Sequence, residues 1–193
     1  MKYIFFIILS TLSINLFAQQ KQFSKDDNGK FIYYKVVNSQ TVSKATLQKR
    51  ALNFVNDFYK KQMKLASQTD TSVVASGKLI IDKTVLVIGH PSGEVNYNFT
   101  LETRDGKYRY WLTDFEFIPY KRDRYGNFAA STTVATPLEK ERSKLNAGEW
   151  KAIQQSAYDK AAKFGQAFEK YLATDIAVKS QPKAPQVIST KKW

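Results

Sequence analysis

The sequence predicts an α+β domain, a two-layer sandwich in which an antiparallel sheet carries two helices on one face. Three observations lead there. Segments of alternating or β-branched character are joined by short turn signals, among them Asp105-Gly106. Two other segments, 43–66 and 146–172, repeat apolar residues every three or four positions, as helices do. The segments follow one another in the order β-α-β-β-β-β-α, and two helices flanking hairpin-joined strands cover one side of a sheet only. The uncovered side meets water, which explains the apolar–polar alternation along the strands.

The chain begins with Lys2 and an apolar run from Tyr3 to Phe17, interrupted by Ser10, Thr11, Ser13 and Asn15. Ala18 and the polar Gln19-Gln20-Lys21 follow. A cationic start, a short apolar stretch and a small residue before polar sequence are the parts of a secretory signal peptide, here residues 1–18. The run is shorter than the roughly 20 apolar residues of a membrane-spanning helix; an uncleaved N-terminal anchor is the alternative. Export to the periplasm or the medium is the expectation, with no transmembrane segment left after cleavage. The chain has no Cys. That closes the lipoprotein route and leaves packing, not disulfides, to hold an exported domain together.

Thirty basic residues against 17 acidic give a formal charge of +13. Such a balance favours anionic partners. Export argues against nucleic acid and leaves anionic lipid surfaces, glycans or an envelope protein; the charge also serves solubility alone.

Residues 19–30 read as a polar linker ending in the turn Asp26-Asp27-Asn28-Gly29, and Phe31 to Val37 as the first strand. Ser43 is placed to cap a helix running to Ala66, with Leu47, Ala51, Phe54, Val55, Phe58 and Leu65 on its apolar face. Lys49, Arg50, Lys60, Lys61 and Lys64 share the opposite arc, a candidate anionic-surface stripe or simply the solvated side of the helix. Ser72 to Asp82 and Lys83 to Ile88 read as two short strands or one bent strand. Gly89-His90-Pro91-Ser92-Gly93 reads as a hairpin turn.

From Glu94 to Thr103 alternation is strict: Val95, Tyr97, Phe99 and Leu101 share one face, Asn96 and Asn98 the other. Tyr108 to Pro119 alternates as well. Because burying Asp114 and Glu116 unpaired is costly, Trp111, Phe115 and Phe117 are assigned to the core, and Tyr108 and Tyr110 go with the acids to the open face. Residues 120–145 form a long polar connection of the kind that is functional or disordered. The last helix starts at Asn146 with Glu149 three residues on, a capping-box-like pair. It repeats Trp150, Ile153, Ala157, Ala161, Phe164, Phe168 and Tyr171 at helical spacing. Residues 173–193 are a basic, proline-containing tail expected to be disordered.

Taken in order, the leader ending Phe17-Ala18-Gln19, the strand Tyr33-Tyr34-Lys35-Val36-Val37 and the helix with Ala51-Leu52-Asn53-Phe54-Val55 form a pattern with the later elements. These are the hairpin Asp105-Gly106-Lys107-Tyr108-Arg109-Tyr110 and a closing Trp-containing helix. The pattern resembles an exported Bacteroidota domain-of-unknown-function family with a TATA-binding-protein-like fold. The resemblance spans residues 31–172 and implies that fold and export, but no activity.

His90 is the only histidine. No zinc set, nucleophile–base pair or Gly-rich phosphate loop is present, so no metal, cofactor or catalytic residue is assigned. Asn96, Asn98, Tyr108, Tyr110, Asp114 and Glu116 form the candidate ligand-binding surface, since aromatic and amide groups on a rigid sheet suit a sugar or a peptide. Asp114 and Glu116 are also weighed as a hydrolytic carboxylate pair or a cation site, against plain solvent-exposed acids with Arg104 and Lys107 as ion partners. The expected function is an exported, non-enzymatic envelope protein that binds a ligand or partner through the open sheet face. Electrostatic association through the basic helix and tail is the second expectation, and hydrolysis the third.

Overall fold

The computed structural model describes residues 22–59, 62–85, 88–141 and 146–174. The leader, Lys60, Lys61, the tail beyond residue 174 and the His90 side chain lie outside the described residues. The strands are β1 (Ser24–Lys25), β2 (Phe31–Asn38), β3 (Met63–Gln68), β4 (Ser72–Val85), β5 (Ile88–Arg104), β6 (Lys107–Arg122), β7 (Phe128–Ala130) and β8 (Thr136–Pro137). The helices are α1 (Lys44–Asn53), which continues as a π-helical turn at Phe54–Phe58, and α2 (Ala147–Ala173). The sheet runs β1-β2-β6-β5-β4-β3 with every pair antiparallel, and β7 and β8 also pair with β6. This is the α+β, two-helix architecture the sequence predicts.

Burial of α2 explains its length and position. Ala157, Ala161, Phe164, Phe168 and Leu172 are buried against the sheet and against Leu47, Ala51 and Phe54. Burying each large apolar side chain contributes roughly 1.5–3 kcal/mol, which offsets the chain entropy lost in ordering the helix. Gly165 interrupts this face for a steric reason. A Cβ there would stand 2.6 Å from the Tyr110 hydroxyl and 2.9 Å from the Tyr33 ring, so glycine lets helix and sheet approach. Ser43 caps α1 as expected, its Oγ accepting from the Thr46 backbone N–H at 3.3 Å. Asn146 begins α2 without a side-chain cap hydrogen bond, so the half of the predicted capping box that Asn146 would supply does not form.

Three expectations about elements are overturned. The helix predicted over 43–66 stops at the π-helical turn, and Met63–Gln68 joins the sheet instead, pairing Lys64 with Ser76. The turn predicted at Gly89–Gly93 is strand: β4 and β5 pair from Ser72↔Glu102 to Val85↔Ile88. Ser92 sits at an irregularity of that register, with Pro91 opposite Asp82, where the missing N–H of proline is tolerated. The predicted long loop is largely ordered. β7 pairs with the end of β6, and Leu138 is buried, its N–H donating to the Phe115 carbonyl at 2.9 Å.

The decisive irregularity lies in β6. Asn96 pairs with Glu116 but Asn98 with Thr113, so Tyr97 alone opposes two residues, Asp114 and Phe115. Asp114 has φ 55°, the left-handed conformation that Asp tolerates better than most side chains. A β-bulge of this kind shifts the phase of a strand by one residue. Before it Tyr108, Tyr110 and Leu112 point into the core; after it Phe115 and Phe117 do.

Candidate binding face

The bulge decides which predicted site residues meet. Asn96, Asn98, Asp114 and Glu116 are brought together on the outer face, as the sequence predicts. They line an open depression of about 800 Å³ together with Ser76 and Lys78. Tyr108 and Tyr110 are not there; both are buried on the helix side. The Tyr110 hydroxyl passes Gly165 and donates to Glu169 Oε1 at 2.6 Å. Burial and the Glu169 carboxylate raise the pKa of Tyr110, and burial first and then Glu169 raise that of Tyr108.

Their places outside are taken by Arg109 and Trp111. With Tyr34 and Val36 of the neighbouring β2, they form a mixed aromatic and cationic strip. Tyr34 is 46% and Val36 55% exposed. The Tyr34 and Trp111 ring centroids stand 6.4 Å apart, and the Arg109 guanidinium lies 5.5 Å from the Trp111 centroid. Arg109 is held by Glu102, from Nε at 2.7 Å and Nη2 at 2.6 Å.

This strip was readable from the sequence by another route. A two-residue turn at Asp105-Gly106 pairs Arg104 with Lys107, hence Glu102 with Arg109 and Leu101 with Tyr110. Residues directly opposite share a face, so a core Leu101 makes Tyr110 core and Arg109 outward. Alternation along β6 alone, without that pairing, gave the wrong phase.

Of the two acids of the depression, Asp114 is engaged. Asp114 receives the Lys30 ammonium on Oδ1 and the Asn98 amide on Oδ2, the latter at 3.0 Å. The hydrogen bond from Lys30 is the chief cause that lowers the pKa of Asp114 below the usual carboxylate value. A general acid needs the opposite shift, so the Lys30 contact does not suit Asp114 to that role. Arg104 and Lys107, expected as ion partners, lie opposite each other in the strand register beside the Asp105-Gly106 turn, and the cation that meets Asp114 is Lys30. Nearby, Lys78 pairs with Glu94 at 2.9 Å, and the Tyr120 hydroxyl donates to the same carboxylate at 2.7 Å. Burial and that contact push the Tyr120 pKa up to about 12.

The predicted basic stripe is dispersed. Arg50 is buried and donates from Nη1 to the Leu172 carbonyl at 2.6 Å, tying α1 to the end of α2. Lys49 stays on α1, whereas Lys64 is on β3 and lines the outer depression. The stripe required one continuous helix, and that helix ends too soon.

Comparison with known proteins agrees with this architecture. Residues 33–118 match the family described as "Domain of unknown function (DUF4468) with TBP-like fold". A crystal structure of a TBP-like protein from Parabacteroides distasonis is similar with a TM-score of 0.57 at 12% identity, over 76% of this chain and 95% of that one. A DUF4468 family protein from Bacteroides ovatus is similar with a TM-score of 0.55 at 13% identity, over 79% of this chain and 91% of that one. No curated protein matches the sequence. Residues 33–118 are thus similar to the DUF4468 domain, and the chain has a TBP-like fold.

Proposed function

We propose that this is an exported, non-enzymatic protein that binds a protein partner through the outer face of its sheet. The observation that carries the reading is the strip of Tyr34, Val36, Trp111 and Arg109, on a sheet whose opposite face is occupied by both helices. Trp, Tyr and Arg are the residue types that dominate binding energy at protein interfaces. Here Glu102 and the Trp111 ring orient the guanidinium in advance, which lowers the ordering cost of association. The polar depression around Asn96 and Asn98 supplies hydrogen-bonding groups beside the aromatic strip, as the rim of an interface does. The leader read from residues 1–18 supports the exported setting.

A photo-crosslinking amino acid at position 111 tests this in cells. A discrete protein adduct is expected from position 111 and none from Gln155, exposed on α2. Equal or absent adducts at both positions would refute the reading.

A further inference from the structure

A second surface lies beyond the part of the chain that matches the family, which ends at residue 118. There the last residues of β6, Tyr120 to Arg122, pair with β7 to form a two-stranded arm, with Asp123 to Asn127 as its tip. The tip is rigidly built. Asp123 Oδ1 accepts from the backbone N–H groups of Tyr125 and Asn127, both at 2.8 Å, and Gly126 takes φ 86°, where a side chain is strained. These contacts turn the one acid of the tip back onto its own backbone, and they lower its pKa. Lys121, Arg122 and Arg124 are all exposed and, among the described residues, make no ion pair with any acid. Tyr125 stands out at 77% exposure with the Arg124 guanidinium 5.2 Å from its ring centroid.

We infer that this arm docks on an anionic phospholipid surface, its three cations over the headgroups and Tyr125 at the interface. Two independent features point there. Clustered Lys and Arg beside a membrane are attracted by its negative surface potential. A tyrosine, apolar in its ring and polar at its tip, is the side chain that settles at headgroup depth. A folded acidic protein would satisfy the cations, but Tyr125 projects from a narrow tip without the broad apolar core in which an aromatic anchor of a protein interface is buried. With three cations and a single ring, the attachment is weak and reversible, and it would present the sheet face to partners held at the same surface.

The absence of cysteine allows a direct test. An environment-sensitive dye is attached to purified protein carrying Y125C and, separately, Q155C. Vesicles of mixed phosphatidylglycerol and phosphatidylcholine should shift the dye emission to the blue at position 125 but not at 155. Pure phosphatidylcholine should shift neither. K121A/R124A should weaken the response at least tenfold, 0.5 M NaCl should abolish it, and W111A should leave it unchanged. The last result separates this surface from the sheet face, so each can fail alone. No shift at 125, an equal shift at 155, or full affinity in K121A/R124A would overturn the inference. So would a shift produced by soluble heparin and by no vesicle.

Discussion

On the inner face of the sheet, Tyr97, Phe99 and Tyr110 meet Phe164 and Phe168 ring against ring, with centroids between 5.0 and 5.7 Å apart. On the outer face, Lys78 meets Glu94 at 2.9 Å and Arg109 meets Glu102 at 2.6 Å. The same strands thus carry two kinds of contact with different costs of loss. Buried rings in edge-to-face packing contribute their full transfer energy plus an orientation-dependent part. Exposed ion pairs in water contribute about 0–1 kcal/mol each. Stability is therefore concentrated on one side, and the other can vary with recognition while the fold survives.

The largest effect expected from this contrast is on the inner face. Phe168→Ala should lose about 3–5 kcal/mol of unfolding free energy, read as a lower denaturant midpoint at unchanged slope. A loss under 1 kcal/mol would mean that α2 is not integral to the core.

Next comes a pair of neighbours in β6 that face opposite ways. Tyr110→Phe should cost about 1–3 kcal/mol, because Glu169 is left without the hydroxyl that now reaches it. Trp111→Ala, one residue along, should change stability by about 0.5–1 kcal/mol at most. Thermal melts of the two variants decide between the phase described here and its inverse.

The smallest effect concerns the ion pair at the bulge. Asp114 has a lowered pKa in the folded chain, so its contribution is present above the ordinary carboxylate range and lost as pH falls through the folded value. In Lys30→Met the Asp114 carboxyl should titrate closer to an ordinary aspartate, followed by carbon-detected NMR. The stability difference between variant and wild type should be present near neutrality and shrink in acid. A titration curve that does not move would show that Asn98 and the local backbone hold the carboxylate without Lys30.

How far the fold was legible depended on whether the signal was local. α2 was readable because Trp150 to Leu172 sustains one apolar face over many turns. β5 was readable from strict alternation, and the β5–β6 hairpin from Asp105-Gly106. The segment 63–68 was not, since its residues continue a helical period and only pairing with β4 makes them strand. The bulge was invisible in β6 alone because Arg109, Trp111 and Thr113 alternate as cleanly as Tyr108, Tyr110 and Leu112. For the same reason four of the six candidate residues share the face expected of them and two are inverted. Asn96, Asn98, Asp114 and Glu116 converge, whereas the two tyrosines belong to the core and Trp111 to the surface.

The bond from Arg50 to the Leu172 carbonyl joins positions 122 residues apart. With it come Phe164 and Phe168, against which Tyr97, Phe99 and Tyr110 of β5 and β6 pack. A nascent chain consequently has no complete hydrophobic layer to close upon until α2 has been synthesised. Until α2 is in place, the inner side of β5 and β6 is a row of rings without the layer that buries it.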